Sequence, residues 1–126
     1  MYVDGFLIPV PKKNIAAYRK IAKVAGKVWK EYGALEYVEC VAEELESKHD
    51  GKVMKSIFPK MAGTKAGETI VFSWIMWPSK DVRDAGNQKM KDDPRMKPTP
   101  DMPFDGKRMI YGGFEVLLDT SGELRK

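Results

Sequence analysis

An α+β fold, with a four-stranded antiparallel sheet carrying two helices on one face, is predicted by three features of the sequence. One long amphipathic helical stretch follows the first strand-like segment. Two further apolar segments follow it, one alternating cleanly and one apolar on both faces. A second, weaker helical stretch and a final strand then complete the order strand, helix, strand, strand, helix, strand.

The first segment, YVDGFLIPV, is strand-like and is expected to close at Pro9 and Pro11, where the ring restricts continuation of a sheet. In PKKNIAAYRKIAKVAGKVWKEYG, residues Ile15, Tyr18, Ala22, Ala25, Trp29 and Tyr32 recur at steps of three and four. They form one apolar stripe on a helix of about six turns, ended by Gly33 at a left-handed cap position. Residues 35–43, LEYVECVAE, alternate as a strand does. A long polar link, residues 43–67, follows with Ile57, Phe58 and Met61 as its apolar anchors. Residues 68–78, ETIVFSWIMWP, are apolar on both faces, as in a strand covered on both sides. Ser79 caps the second helix, with Asp81 in its first turn and Val82, Ala85 and Met90 as its stripe. A proline-rich link, DDPRMKPTPDMP, leads to a last strand over residues 107–118, started by a turn at Asp105-Gly106, and residues 119–126 read as a flexible tail.

This element order is the split βαβ, ferredoxin-like arrangement, and the 126 residues suit a single domain. Two helices cover one sheet face, yet the third and fourth strands are apolar on both. The uncovered face therefore needs a partner, and a second copy of the sheet is the economical one, so a homodimer is expected.

Composition narrows the function classes. Hydrophobic residues make up 43% and charged residues 32%, as in ordinary globular proteins. No apolar run approaches the roughly 20 residues that a membrane-spanning helix needs. The N-terminal segment has no basic region ahead of its apolar part, so it does not read as a signal peptide. One cysteine, Cys40, permits no internal disulfide. The lone cysteine fits a reducing compartment, and a cytoplasmic location is the expectation. The net charge of +4 is spread along a helix at solvent-face spacing rather than gathered among stacking aromatics, which argues against nucleic acid.

The segments YVDGF, AYRKIA, WKEYGALEYVECV, ETIVFSWIMWPSK, DDPRM and MPFDGKRMIYGGFE, in that order, resemble the YbaA-like family of small uncharacterised bacterial proteins. The last is the most specific. The resemblance implies the dimeric α+β barrel superfamily, in which two ferredoxin-like sheets close a barrel across a dimer. It brings no catalytic residues, because the family has no established activity. The link around SKHDGKVMKS is more polar than the family pattern.

Strand parity sorts the residues that could carry chemistry. With Val3, Gly5 and Leu7 placed toward the helices, together with Val38, Cys40, Ala42, Ile110, Phe114 and Val116, the barrel interior receives Asp4, Tyr37, Glu39, Tyr111, Gly113 and Glu115. The third strand stays ambiguous, with Trp74 on one of its two apolar faces. The ligand-binding set is thus Asp4, Tyr37, Glu39, Trp74, Arg108, Tyr111, Gly113 and Glu115, and Glu39, Tyr111 and Glu115 are the catalytic candidates. A carboxylate in a partly apolar cavity can act as a general base. The competing reading is that these carboxylates pair with cations, Arg108 foremost, or lie in water. His49 is the single histidine and stands in a polar loop. Without companions it makes no metal site, and Cys40 reads as core. No phosphate-binding, dinucleotide, nucleophile-elbow or zinc motif occurs, so neither cofactor nor metal is expected. Gly112 and Gly113 fall on opposite faces, Gly113 opening a gap between Tyr111 and Glu115. A small-molecule pocket in the barrel, serving a cofactor-independent enzyme or a non-catalytic binding or stress-related protein, is the functional expectation.

Overall fold

The computed structural model describes residues 1–121, so most of the tail from residue 119 onward lies outside the described residues. In chain order the elements are β1 (Tyr2–Pro11), α1 (Ile15–Glu31), β2 (Glu36–Val41), β3 (Glu46–His49), β4 (Lys52–Lys55), α2 (Phe58–Ala62), β5 (Glu68–Trp77), α3 (Lys80–Asp92) and β6 (Ile110–Glu115). Four strands make the main sheet in the order β2-β5-β1-β6, with every neighbouring pair antiparallel. The architecture is α+β.

β1 runs through both prolines instead of stopping at them. Its pairing with β6 ends at Leu7, opposite Ile110, whereas its pairing with β5 continues to Pro11 opposite Glu68. Pro9 and Pro11 therefore fall where β1 has a neighbour on one side only, and there a missing N–H costs no ladder bond. α1 forms as its apolar spacing requires and buries Tyr18, Ala25 and Val28. Gly33, at φ +109°, accepts the backbone geometry that follows the helix end. α3 starts at Ser79, whose hydroxyl accepts from the Val82 amide at 3.2 Å.

The core lies between the sheet and these two helices. One cluster joins Ile8, Val10 and Val71 to Tyr18, and a second joins Ile75 and Trp77 to Ala34. Full burial of Ile8, Val10, Val71 and Ile75 contributes about 1.5–3 kcal/mol each before conformational entropy is counted. Two helix glycines bring the layers close. A Cβ at Gly26 would stand 2.7 Å from the Tyr37 ring, and one at Gly86 would stand 2.6 Å from the Trp77 ring.

These contacts reverse the face assignment drawn from parity. Tyr2, Asp4, Phe6, Ile8 and Val10 face the helices, in register with Trp77, Ile75, Ser73, Val71 and Thr69. Glu39 pairs with Ser73, and Tyr111 with Phe6, on the same side. The open face carries Val3, Gly5, Leu7, Val38, Cys40, Phe72, Trp74, Met76, Ile110, Gly112 and Phe114. Cys40 is accordingly half-exposed on the open face rather than part of the core. Phe114, expected under a helix, lies over Gly5 and Gly112 on that open face and is 61% exposed.

The link over residues 43–67 also folds. β3 and β4 form a separate two-stranded hairpin, turned at Asp50 (φ +52°) and Gly51 (φ +76°). Positive φ at both central residues is what a tight hairpin turn requires, and Asp-Gly supplies it. α2 follows, and its Phe58 meets Phe72 of the open face edge-on at 6.4 Å. The last strand is shorter than the 107–118 expected. Its first residues instead form a 3-10 turn, Gly106–Arg108, capped by the Asp105 carboxylate, which accepts from the Lys107 amide at 3.0 Å.

Candidate functional site

The sheet and α1 do not close completely over β2 and β5. Between them lies a cavity of about 570 Å³, with Phe6, Trp29, Tyr37, Ile75 and Phe104 among its walls. Its outer wall is the proline-rich segment after α3, contributing Met96, Pro98 and Met102. Two attachments fix that segment. Asn14 Nδ2 donates to the Pro103 carbonyl at 2.9 Å, and Phe104 packs edge-on against Tyr18 at 5.3 Å. At its start, Asp93 accepts from Tyr32 Oη at 2.5 Å and from Arg95 Nη2 at 2.8 Å, while Arg95 Nη2 also reaches Glu31 at 2.8 Å. Arg95 first, and Tyr32 second, hold the Asp93 carboxyl well below the usual carboxylate range.

Glu39 is the charged group at the sheet side of this cavity. Tyr18 Oη donates to its two carboxylate oxygens at 2.9 and 3.0 Å, and Tyr37 Oη donates to Oε2. Burial, reinforced by the adjacent Glu39 charge, raises both phenols far above their ordinary range, so their protons stay on and point at Glu39. Among the described residues no cation lies in a salt bridge with Glu39. Ser73, Glu39's cross-strand neighbour, is 3% exposed and lines the cavity, and its hydroxyl has no hydrogen-bond partner among the described residues. The result is an aromatic, largely apolar chamber with an anionic, hydroxyl-flanked floor, the composition typical of a small-molecule site.

The residues singled out from the sequence separate into five places. Tyr37 and Glu39 meet in the cavity. Asp4, on the same face, is a buried anchor instead: Arg83 Nη2 reaches Oδ1 at 2.8 Å, Arg83 Nε reaches both oxygens at 3.1 Å, and Trp77 Nε1 donates to Oδ2 at 3.1 Å. Arg83 also stacks over the Tyr2 ring, 5.0 Å from its centroid. Tyr111, Gly113 and Glu115 lie on edge strand β6, where Tyr111 is 76% exposed. No gap opens at Gly113, because the Tyr2 ring fills it; a Cβ there would collide with that ring and its hydroxyl. Trp74 lies on the open face and donates from Nε1 to Glu36 at 2.7 Å.

Arg108 pairs with Glu68 at 2.6 and 2.8 Å and donates to the Gly63 carbonyl at 2.7 Å, tying the start of β6 to the inserted segment. It is not the partner of Glu39 or Glu115. His49 stands exposed at the end of β3, and no three metal-ligating side chains converge among the described residues. No helix among them is long and apolar enough to cross a membrane.

Tyr18, Ser73 and Phe104 were not anticipated as cavity residues. For Tyr18 a signal existed: a tyrosine on a buried helix stripe must find a partner for its hydroxyl, and a sheet carboxylate is the natural one. Phe104 carries no such signal, because it reaches the cavity through a long irregular segment.

Comparison with known proteins agrees with this chain-wide pattern without supplying an activity. Residues 1–106 match the family described as "Protein of unknown function (DUF1428)". Proteins named "Uncharacterized protein YbaA" from Escherichia coli strain K12 and from Shigella flexneri are each 53% identical over 119 residues, covering 94% of this chain and 97% of theirs.

Proposed function

The chain belongs to the family of unknown function DUF1428, and from its geometry we propose that it binds a small, largely apolar molecule in the cavity beneath α1. The observation that carries this reading is the Glu39 carboxylate, held by two tyrosines and, among the described residues, by no cation, at the floor of a chamber of about 570 Å³. A carboxylate that served only stability would sit more cheaply with a cation, as Asp4 and Glu68 do. Glu39 has the setting of a general base, and Ser73 Oγ the setting of a positioning group.

The proposal includes a homodimer of the ferredoxin-like, α+β barrel type. The strand order β2-β5-β1-β6 is compatible with it, and the open face supports it, since Phe72, Ile110 and Phe114 are 47%, 46% and 61% exposed there. Exposed apolar surface of this kind is what a second sheet would cover. The ligand would then sit outside the barrel, on the helix side of each sheet.

Native mass spectrometry of protein isolated from cells tests the binding reading. A co-purified compound at one per chain is expected, and it is lost in Ala22→Trp, which adds an indole to the cavity wall. Retention of the same compound by folded Ala22→Trp protein would place binding elsewhere and sink the assignment.

A further inference from the structure

The balance of hydrogen-bond donors and acceptors in this cavity, taken with the small-molecule reading above on which it rests, narrows the ligand's chemistry. A carboxylate offers about four acceptor positions, and each phenol proton can fill one. Tyr18 and Tyr37 bring two protons to Glu39, the Tyr18 proton being shared between both oxygens. Acceptor capacity is left over on Glu39 and on the phenol oxygens, whose own protons are committed. Beside them Ser73 Oγ, without a protein partner among the described residues, can accept as well. The floor therefore asks for donors and supplies almost none.

Charge points the same way. No cation is paired with Glu39 among the described residues. Three lining residues are basic, but none answers Glu39. Arg95 is committed to Asp93 and Glu31, Lys97 Nζ donates to the Lys91 carbonyl at 2.8 Å, and Lys20 is exposed on α1. Rim charges in water are screened, whereas the partly buried Glu39 charge is screened less, so the floor weighs more than the rim. The rings around it, Phe6, Tyr18, Trp29, Tyr37 and Phe104, present faces and edges of the kind that hold organic cations.

We propose that the cavity binds a primary amine in its ammonium form, carried on an apolar or aromatic body. Such a head has three protons, enough to reach both Glu39 oxygens and Ser73 Oγ. The body occupies the aromatic chamber under the proline-rich wall.

Three probes sharing one aryl-alkyl body separate the alternatives on the unmodified protein: phenylbutylamine, phenylbutanol and phenylbutyrate, followed by titration calorimetry. The amine is expected to bind about tenfold or more tighter than the alcohol, consistent with charge-assisted hydrogen bonds being roughly twice as strong as neutral ones, and the acid not to bind. In Glu39→Gln the amine should lose its advantage over the alcohol. Equal binding of amine and alcohol, or tightest binding of the acid, overturns the amine assignment and leaves a cavity that binds small molecules. Failure of all three probes, together with no co-purified compound, overturns the cavity reading itself. The ranking is read on native protein, so the outcome stands even if Glu39→Gln does not fold.

Discussion

Removing the Asp4 carboxylate should cost stability without touching the cavity. Asp4 is 6% exposed, and it alone accepts the Trp77 indole N–H, on a residue with no exposure at all. In Asp4→Ala that donor is left buried and unpaired, which costs about 1–3 kcal/mol. Arg83 loses its hydrogen bonds to both Asp4 oxygens as well. Breaking a buried pair costs about 3–5 kcal/mol when the surviving charge is stranded. Arg83 is not stranded, because its side chain is 22% exposed and Nη1 keeps Asp84 at 2.8 Å. The combined loss is therefore set near 3 kcal/mol, a large part of the roughly 5–15 kcal/mol that holds a domain together. For a chain of this size that lowers the thermal midpoint by about 10 °C. Asp4→Asn, which keeps one acceptor, should lose about half as much. Urea unfolding of Asp4→Ala, Arg83→Met and the double variant measures the coupling, expected to be at least about 1 kcal/mol. Strictly additive losses, or an Asp4→Ala cost below about 1 kcal/mol, would refute the anchor role.

Gly86→Ala should destabilise although alanine is the better helix former by about 1 kcal/mol, because its Cβ meets the immobile Trp77 ring at 2.6 Å and the Tyr32 carbonyl at 3.2 Å. A rise in the thermal midpoint would show that α3 is free to move off the sheet. Arg108 brings the Glu68 carboxyl from its ordinary 4.5 down to about 2, with the Lys65 amide as the next contributor. The folded value lies below the unfolded one, so this stability is present above about pH 4.5 and is lost as pH falls toward 2. Arg108→Met should thus be weaker than wild type at neutral pH and converge with it in acid, as followed by circular dichroism; a constant difference would contradict the pairing. Phe114→Asp should convert the proposed dimer to a folded monomer in analytical ultracentrifugation, and an unchanged sedimentation coefficient removes the open face as the interface.

The four-stranded antiparallel sheet and its two long helices were legible because each carries its own local physics: the stripe of α1, the Ser79 cap, the unbroken apolar run of β5. Which face of the sheet the helices cover was not. β5 is apolar on both sides, and period two alone cannot choose between two apolar sides. The choice is made by large residues needing depth, Trp77 above all, and by small residues placed against them, Gly26 against Tyr37 and Gly86 against Trp77. Tyr37 and Glu39 share one face, as parity expected, but on the opposite side of the sheet from the one expected. Asp4 was picked out for its charge, but its meaning depended on Arg83, 79 positions away. The hairpin had a visible mark in Asp50-Gly51, which the polarity of its strands obscured.

That hairpin sets a second stability scale within one chain. Two strands alone are marginal in water. Among the described residues β3 and β4 pair only with each other, and their outer residues Val53 and Met54 are 51% and 57% exposed. The insertion is held to the body by Phe58 on Phe72, buried Ala62, the bond from Arg108 to Gly63 and that from the Lys12 amide to the Gly67 carbonyl at 2.9 Å. Its amides should exchange through openings that leave the four-stranded sheet intact. The segment can therefore lengthen, shorten or change sequence at little expense to the core, which makes it the part of the chain freest to diverge.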